Sequence, residues 1–337
     1  MLSGVPLATQ PADLVGELEP QFTARVTELL ERIEARLADA AIAKTDFVTQ
    51  AAQHIISAGG KRFRPLLVVL AALLGEDPDD ELVIRAALVM ELTHVASLYH
   101  DDVMDEAQLR RGAPSANQRW DNTVAILVGD FLFAKASSLV ATLGTDYVTL
   151  QAETFARLVQ GQIAETRGPL PGDDLLAHYL SVVSDKTGSL IAASTIFGGM
   201  VAGVSPAELD ALGAYGEEIG VVFQLSDDII DIASDTSGKT PGTDLRAGVP
   251  TLPTLLARRS TAAADARLLA LLDADLSADA DLAEALDLMR AHPSMAEARE
   301  VIRTRAEIAR SHLAPLPEGP AKDALSALCD GVISRSS

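Results

Sequence analysis

The stretch from Glu81 to Asp105 is the longest apolar run at helical spacing in the chain, and it ends in Asp101-Asp102-Val103-Met104-Asp105-Glu106. A second apolar run, Pro206 to Ile232, carries the same pattern in Phe223-Gln224-Leu225-Ser226-Asp227-Asp228-Ile229-Ile230-Asp231. On a helix, Asp101 and Asp105 lie one turn apart, with Cβ atoms about 6 Å from each other. One acidic turn of this kind is as readily a solvated helix face. Two, each on a run apolar enough to be buried, constrain the fold: opposed carboxylate triplets in a core repel one another unless cations lie between them. Oxygen donors without His or Cys select magnesium or a similar hard ion, which usually completes its shell from substrate phosphate. The pair therefore predicts a diphosphate held between two helices. Acids at the C-terminal end of a helix also oppose its dipole, a broken local rule that points to function.

The rest of the chain reads as helix. Ala and Leu dominate and aromatic residues make up 4%, which favours an all-α fold. Apolar periodicity predicts helices up to Ala40, over 46–57, 66–75, 81–105, 120–143, 146–167, 174–185, 188–202 and 206–232, with a polar, Gly-rich loop at 234–249. Shorter charged helices fill 253–333. Residues 1–13 read as a flexible N-terminal leader and 14–337 as one helical domain. The net charge of −21 excludes a nucleic-acid surface, because nothing broad and basic would neutralise phosphates. Cys329 is the single cysteine, so no intrachain disulfide forms and a reducing, cytoplasmic setting is expected. The start lacks the pattern of a signal peptide, and apolar runs such as Leu66 to Leu74 are shorter than the roughly 20 residues of a membrane span.

Against that acidic background, cations are concentrated at two places. Gly59-Gly60-Lys61-Arg62-Phe63-Arg64-Pro65 sets Lys61 and Arg64 at a Gly-rich turn leading into a helix, a setting suited to anions. Arg110-Arg111-Gly112 follows the first acidic cluster. Each segment alone could be a helix end with solvated basic residues. Together they would accommodate two anionic groups. His94 lies two turns before Asp101; it, Lys186-Thr187, Gln224 and Lys239 are ordinary positions taken singly.

These segments, with Gly161-Gln162, Glu165, Gly238 and Asp244, occur in the order that marks a family: the chain resembles the trans-type isoprenyl diphosphate synthases over about residues 20–330. The resemblance implies the isoprenoid synthase fold, a single large helical bundle around a deep central cavity, usually as a homodimer. It implies about three Mg²⁺ ions on Asp101, Asp105 and Asp227, supported by Asp102, Asp228 and Asp231. Arg110, Lys186, Thr187, Gln224 and Lys239 would then contact the allylic diphosphate, and Lys61, Arg64, His94 and Arg111 would hold isopentenyl diphosphate. Glu165 stands where many members carry Asp, and Val249 where short-chain members have a second loop lysine.

In this family the residues four and five before the first aspartate form the floor beneath the growing chain. Here they are Ser97 and Ala96, with Thr93 a further turn down. Small residues leave a tunnel open, so the expected product is a long-chain all-trans polyprenyl diphosphate of about six to ten isoprene units, of the kind used in quinone side chains. Product release would bring peripheral membrane contact. Rival readings are a short-chain farnesyl or geranylgeranyl diphosphate synthase, a partner subunit of a heteromeric synthase, and a class I terpene cyclase. The intact second cluster and the Gly-Gly-Lys-Arg segment oppose the last two. No role follows for His100.

Overall fold

The computed structural model describes residues 19–233 and 241–334. The leader at 1–13 and the loop residues Gly238 and Lys239 lie outside them. The described residues fall into two compact units, one of residues 19–155, 190–214 and 313–328, the other of 156–189, 215–233, 241–312 and 329–334.

In the first unit, α1 (Pro20–Ala40) begins with proline at its first turn and buries Val26, Leu29, Ile33 and Leu37, spaced three and four apart. Each such side chain contributes about 1.5–3 kcal/mol on burial. Thr45 caps α2 (Asp46–Ser57), its hydroxyl accepting from the Val48 amide at 3.4 Å. Helix α3 (Phe63–Ala72) is buried at every position but Arg64. Asp79 caps α4 (Asp80–Met104) by accepting from the Glu81 amide at 2.8 Å. Helix α4 packs against α1, α3 and α6 (Asn122–Val140), which is why it is apolar on all sides.

A hairpin that the sequence did not disclose separates α4 from α6. Its strands β1 (Leu109–Arg110) and β2 (Ala113–Pro114) pair Leu109 with Pro114 and Arg110 with Ala113, and are the only strands among the described residues. The turn residues Arg111 (φ 53°) and Gly112 (φ 79°) are both left-handed, as a two-residue type I′ turn requires. A short α5 (Ala116–Arg119) follows.

The remaining helices are α7 (Thr145–Arg167), α8 (Leu175–Val183), α9 (Ser189–Ala202), α10 (Pro206–Ala233), α11 (Thr243–Arg246), α12 (Leu252–Ala257), α13 (Ala266–Leu272), α14 (Asp279–Ala291), α15 (Ser294–His312) and α16 (Pro320–Ser334). Two expectations change. Helices α8 and α9 are not separate, because a π-helical turn, Ser184–Gly188, joins them without a break. The segment 241–249 is not all loop, since it contains α11.

Contrary to the expectation from short runs such as Leu66 to Leu74, helices α4 and α6 are each long and apolar enough to cross a membrane by length and composition. The apolar window of α4 is 78% buried, as a core helix should be, whereas that of α6 is 33% buried.

Candidate active site

At the acidic end of α4 the three aspartates have different surroundings. Asp101 is half-buried, Asp105 is exposed, and Asp102 is fully buried. The Asp105 amide donates to the Asp101 carbonyl at 2.8 Å, closing the last helical turn and stacking the two residues one turn apart. Asp102 is instead gripped by Arg110, whose Nε and Nη2 both reach Oδ1 at 2.6 Å. Burial raises the Asp102 pKa, while Arg110 and the Ala116 backbone amide oppose the rise. The hairpin thus fixes Arg110 beside the cluster.

No three carboxylate, His or Cys groups among the described residues converge tightly enough to enclose a metal by themselves. Asp101 and Asp105 still offer carboxylate oxygens one turn apart on α4. That donor set fits a hard cation whose shell is finished by water and phosphate oxygens.

Several basic residues of this unit gather around the α2–α3 connection. Arg62, left-handed at φ 45°, is a buried tie. Its guanidinium donates to Glu34 at 2.6 and 2.8 Å, to Glu91 at 3.0 Å and to the Ile56 carbonyl at 2.9 Å. Neither Glu34 nor Glu91 was expected as a partner of the basic turn. Lys61 and Arg64 flank this anchored residue, both half-buried. Arg64 Nε is buried with no hydrogen-bond partner, and burial lowers the Arg64 pKa to about 10, Glu91 opposing and Arg111 adding to the fall. Arg111 Nη1 donates to the carbonyls of Ile55, at 3.1 Å, and Gly59. A Cβ on Gly60 would lie 2.7 Å from the Arg111 Cζ, so glycine is required for this approach. Burial, then Arg64 and Arg111, hold the His94 pKa well below its usual value, leaving the imidazole neutral. Arg64, Arg111 and neutral His94, all half-buried, therefore form one anion-seeking group.

Farther back on α4, Ala96, Thr93 and Ser97 are all buried. The Thr93 hydroxyl donates to the Val89 carbonyl at 2.7 Å and accepts from Gln151 at 3.2 Å, and that of Ser97 donates to the His94 carbonyl at 2.8 Å. Helix α6 passes close by: a Cβ on Gly129 would lie 3.1 Å from the Ala96 carbonyl oxygen and would strike His100. His100 gains a role here, its Nε2 lying 3.2 Å from the Ile126 carbonyl and 3.3 Å from Asp130 Oδ1, so it ties α4 to α6.

In the second unit, Asp228 is buried and accepts from the Tyr179 hydroxyl, from the Leu252 amide at 3.1 Å and from Gln224 Nε2 at 3.3 Å. Burial lifts its pKa to about 7 against the pull of Tyr179 and Leu252. Asp231 accepts from the amides of Thr243 and Asp244 at 3.2 and 3.1 Å and so orders the start of α11. Asp227, which precedes them on α10, is half-buried. The π-helical turn presents Lys186 to Glu165, Nζ to Oε2 2.6 Å, and Thr187 to Gln224 at 3.4 Å. Val249, 41% exposed, presents an apolar side chain. Tyr179 and Arg157, which donates to Asp185 and Glu217, were not foreseen.

A protein-family model described as Polyprenyl synthetase matches residues 45–289. Nonaprenyl diphosphate synthase of Mycobacterium tuberculosis is 50% identical over 317 residues, 93% of this chain and 94% of the relative. A second protein of that organism, dimethylallyltranstransferase, is 42% identical over 96% of this chain and 98% of its own. Among solved structures, geranylgeranyl pyrophosphate synthase of Corynebacterium glutamicum, complexed with calcium and isoprenyl diphosphate, superposes with a TM-score of 0.85 at 44% identity. It covers 95% of this chain and 99% of its own.

Proposed function

The chain belongs to the polyprenyl synthetase family, and from that premise we propose that it condenses isopentenyl diphosphate with an allylic diphosphate. The product is a long-chain all-trans polyprenyl diphosphate of about six to ten isoprene units, suited to a quinone side chain. The carrying observation is α4 itself, which joins an acidic end held by Arg110 to small buried residues, Ala96 and Ser97, behind it. The nonaprenyl product named for the 50% identical relative supports the length. The geranylgeranyl product named for the Corynebacterium structure supports a short-chain synthase as the second reading.

Asp101, Asp105 and Asp227 would hold about three Mg²⁺ ions, supplying positive charge against the departing diphosphate. Lys186, Thr187, Gln224, Arg110 and Lys239 orient the allylic diphosphate. Asp102, Asp228 and Asp231 act as supports, since each already receives hydrogen bonds from the protein. Lys61, Arg64 and Arg111 bind isopentenyl diphosphate by fixed charge, and neutral His94 by donating one ring N–H. The allylic C–O bond breaks, the isopentenyl double bond forms the new C–C bond, and the proton lost from the adduct passes to the released diphosphate. No side-chain nucleophile takes part.

The purified chain, labelled isopentenyl diphosphate and each allylic primer in turn test this. Incorporation with Mg²⁺, and none after chelation, is expected. Lack of elongation with every primer would favour the partner-subunit reading instead.

The active form in this reading is a cytoplasmic homodimer that touches the membrane peripherally as product leaves. Helix α6 supports the dimer, because Ile126 is 43% and Leu127 60% exposed on a helix of core-like composition. Leu127→Arg is expected to convert a dimer to a monomer in sedimentation, with little change in helicity. An unchanged dimer would place the interface elsewhere.

A further inference from the structure

The π-helical turn at Ser184–Gly188 needs an external cause. Its closing bond runs from the Ser189 amide to the Ser184 carbonyl, five residues back. Such turns are rare, and one persists in a helix only where the surroundings favour it over ordinary α geometry. Lys186 and Thr187 both lie in this turn.

Helix α7 supplies the cause. Arg157 Nε donates to Asp185 Oδ1 at 2.6 Å, Nη1 to Glu217 Oε2 at 2.7 Å, and Nη2 to Glu217 Oε1 at 2.5 Å and to Ser184 Oγ at 2.7 Å. Ser184 Oγ in turn donates to Glu217. One planar fork thus holds two successive residues of the turn and a carboxylate of α10. One turn further along α7, Gly161 brings the backbone against the same segment: a Cβ there would lie 2.8 Å from the Lys186 amide nitrogen and 2.9 Å from Asp185 Cβ. On the other side, a Cβ on Gly188 would lie 3.3 Å from the Glu217 carbonyl oxygen. The Arg157 side chain is 40% exposed, so bare charge attraction in this pair is weak. What the arrangement adds is direction, because a guanidinium makes these four hydrogen bonds from one rigid plane, whereas an ammonium has three donors on a single nitrogen.

We propose that Arg157 and Glu217 are positioning residues that lock the π-helical turn and thereby set where Lys186 and Thr187 meet the allylic diphosphate. The inference rests on the function proposed above for Lys186. Ser184 and Asp185 face inward to the lock, while Lys186 and Thr187 reach Glu165 and Gln224. Loosening the lock therefore displaces the allylic contacts and leaves those of isopentenyl diphosphate in place.

Steady-state kinetics with each substrate varied separately test this on Arg157→Lys, Glu217→Gln and Lys186→Ala, with Arg267→Ala, an exposed pair with Glu284, as the control. Arg157→Lys is expected to raise KM for the allylic diphosphate about tenfold, the scale of a small misplacement. KM for isopentenyl diphosphate and the melting temperature should stay near wild type. Glu217→Gln, which keeps shape and can still accept, should show the same split to a lesser degree. The double variant should be no worse than Arg157→Lys alone, since both act on one unit. Equal rises in both KM values with a fall in melting temperature, or no change in either, would overturn the proposal. Lys186→Ala separates the two levels: a loss of about 10²-fold in kcat/KM is expected. If that loss is seen and Arg157→Lys behaves as wild type, only the positioning role fails. If Lys186→Ala is fully active, the reading of the site fails with it.

Discussion

Asp101→Ala is expected to lower kcat by at least about 10³-fold, while the protein keeps its fold and melting temperature. The reason lies in the unequal surroundings of neighbouring acids. Asp101 is half-buried at the last turn of α4, and in the proposed mechanism its loss would remove an oxygen ligand of the metal that holds the diphosphate. Asp102, one residue on, is wholly buried and neutralised by Arg110. Asp102→Ala would therefore strip Arg110 of its partner, costing about 2–3 kcal/mol, less than for a fully buried pair because Arg110 is 27% exposed. The two variants should part company: Asp101→Ala inactive and stable, Asp102→Ala impaired and less stable. Activity assays beside thermal melts check this. Equal destabilisation by both would mean that Asp101 is a structural acid.

Ala96→Phe is expected to shorten the product to farnesyl or geranylgeranyl diphosphate. At 1.5 Å per residue, Ala96 lies about 7.5 Å along the helix axis from Asp101, and Thr93 about 12 Å. Ala96 has no exposed surface, and α6 runs against the helix at this level through Gly129. A benzyl group in an already filled core costs about 1–3 kcal/mol. If the ring enters the space reserved for the growing chain, the melting temperature changes little and the product ladder stops early. The same ladder as wild type would remove Ala96 from the floor of the site.

Much of this was legible in the sequence because it depends on local spacing. Apolar residues three and four apart marked α1, the long apolar run marked α4, and the aspartate patterns stood out by repetition. Features set by long-range pairing were not legible. Arg62 meets Glu34 and Glu91 across 28 and 29 residues, and Arg157 meets Glu217 across 60, separations that leave no periodic trace. The π-helical turn escaped because its shift of one hydrogen bond leaves the apolar pattern of α8 and α9 almost intact. The hairpin escaped because two-residue strands are too short to show alternation, and Arg111 is not a usual residue for a left-handed turn. His100 had no role legible from its place beside the acids, because its partners lie on α6.

The central claim is that α4 serves as both reaction centre and ruler. The most direct test is the length distribution of products made by the unaltered chain from farnesyl diphosphate and excess isopentenyl diphosphate with Mg²⁺, resolved by chromatography and mass. A ladder ending at about six to ten isoprene units is expected. A reaction that stops at the geranylgeranyl product, with isopentenyl diphosphate still in excess, would contradict it.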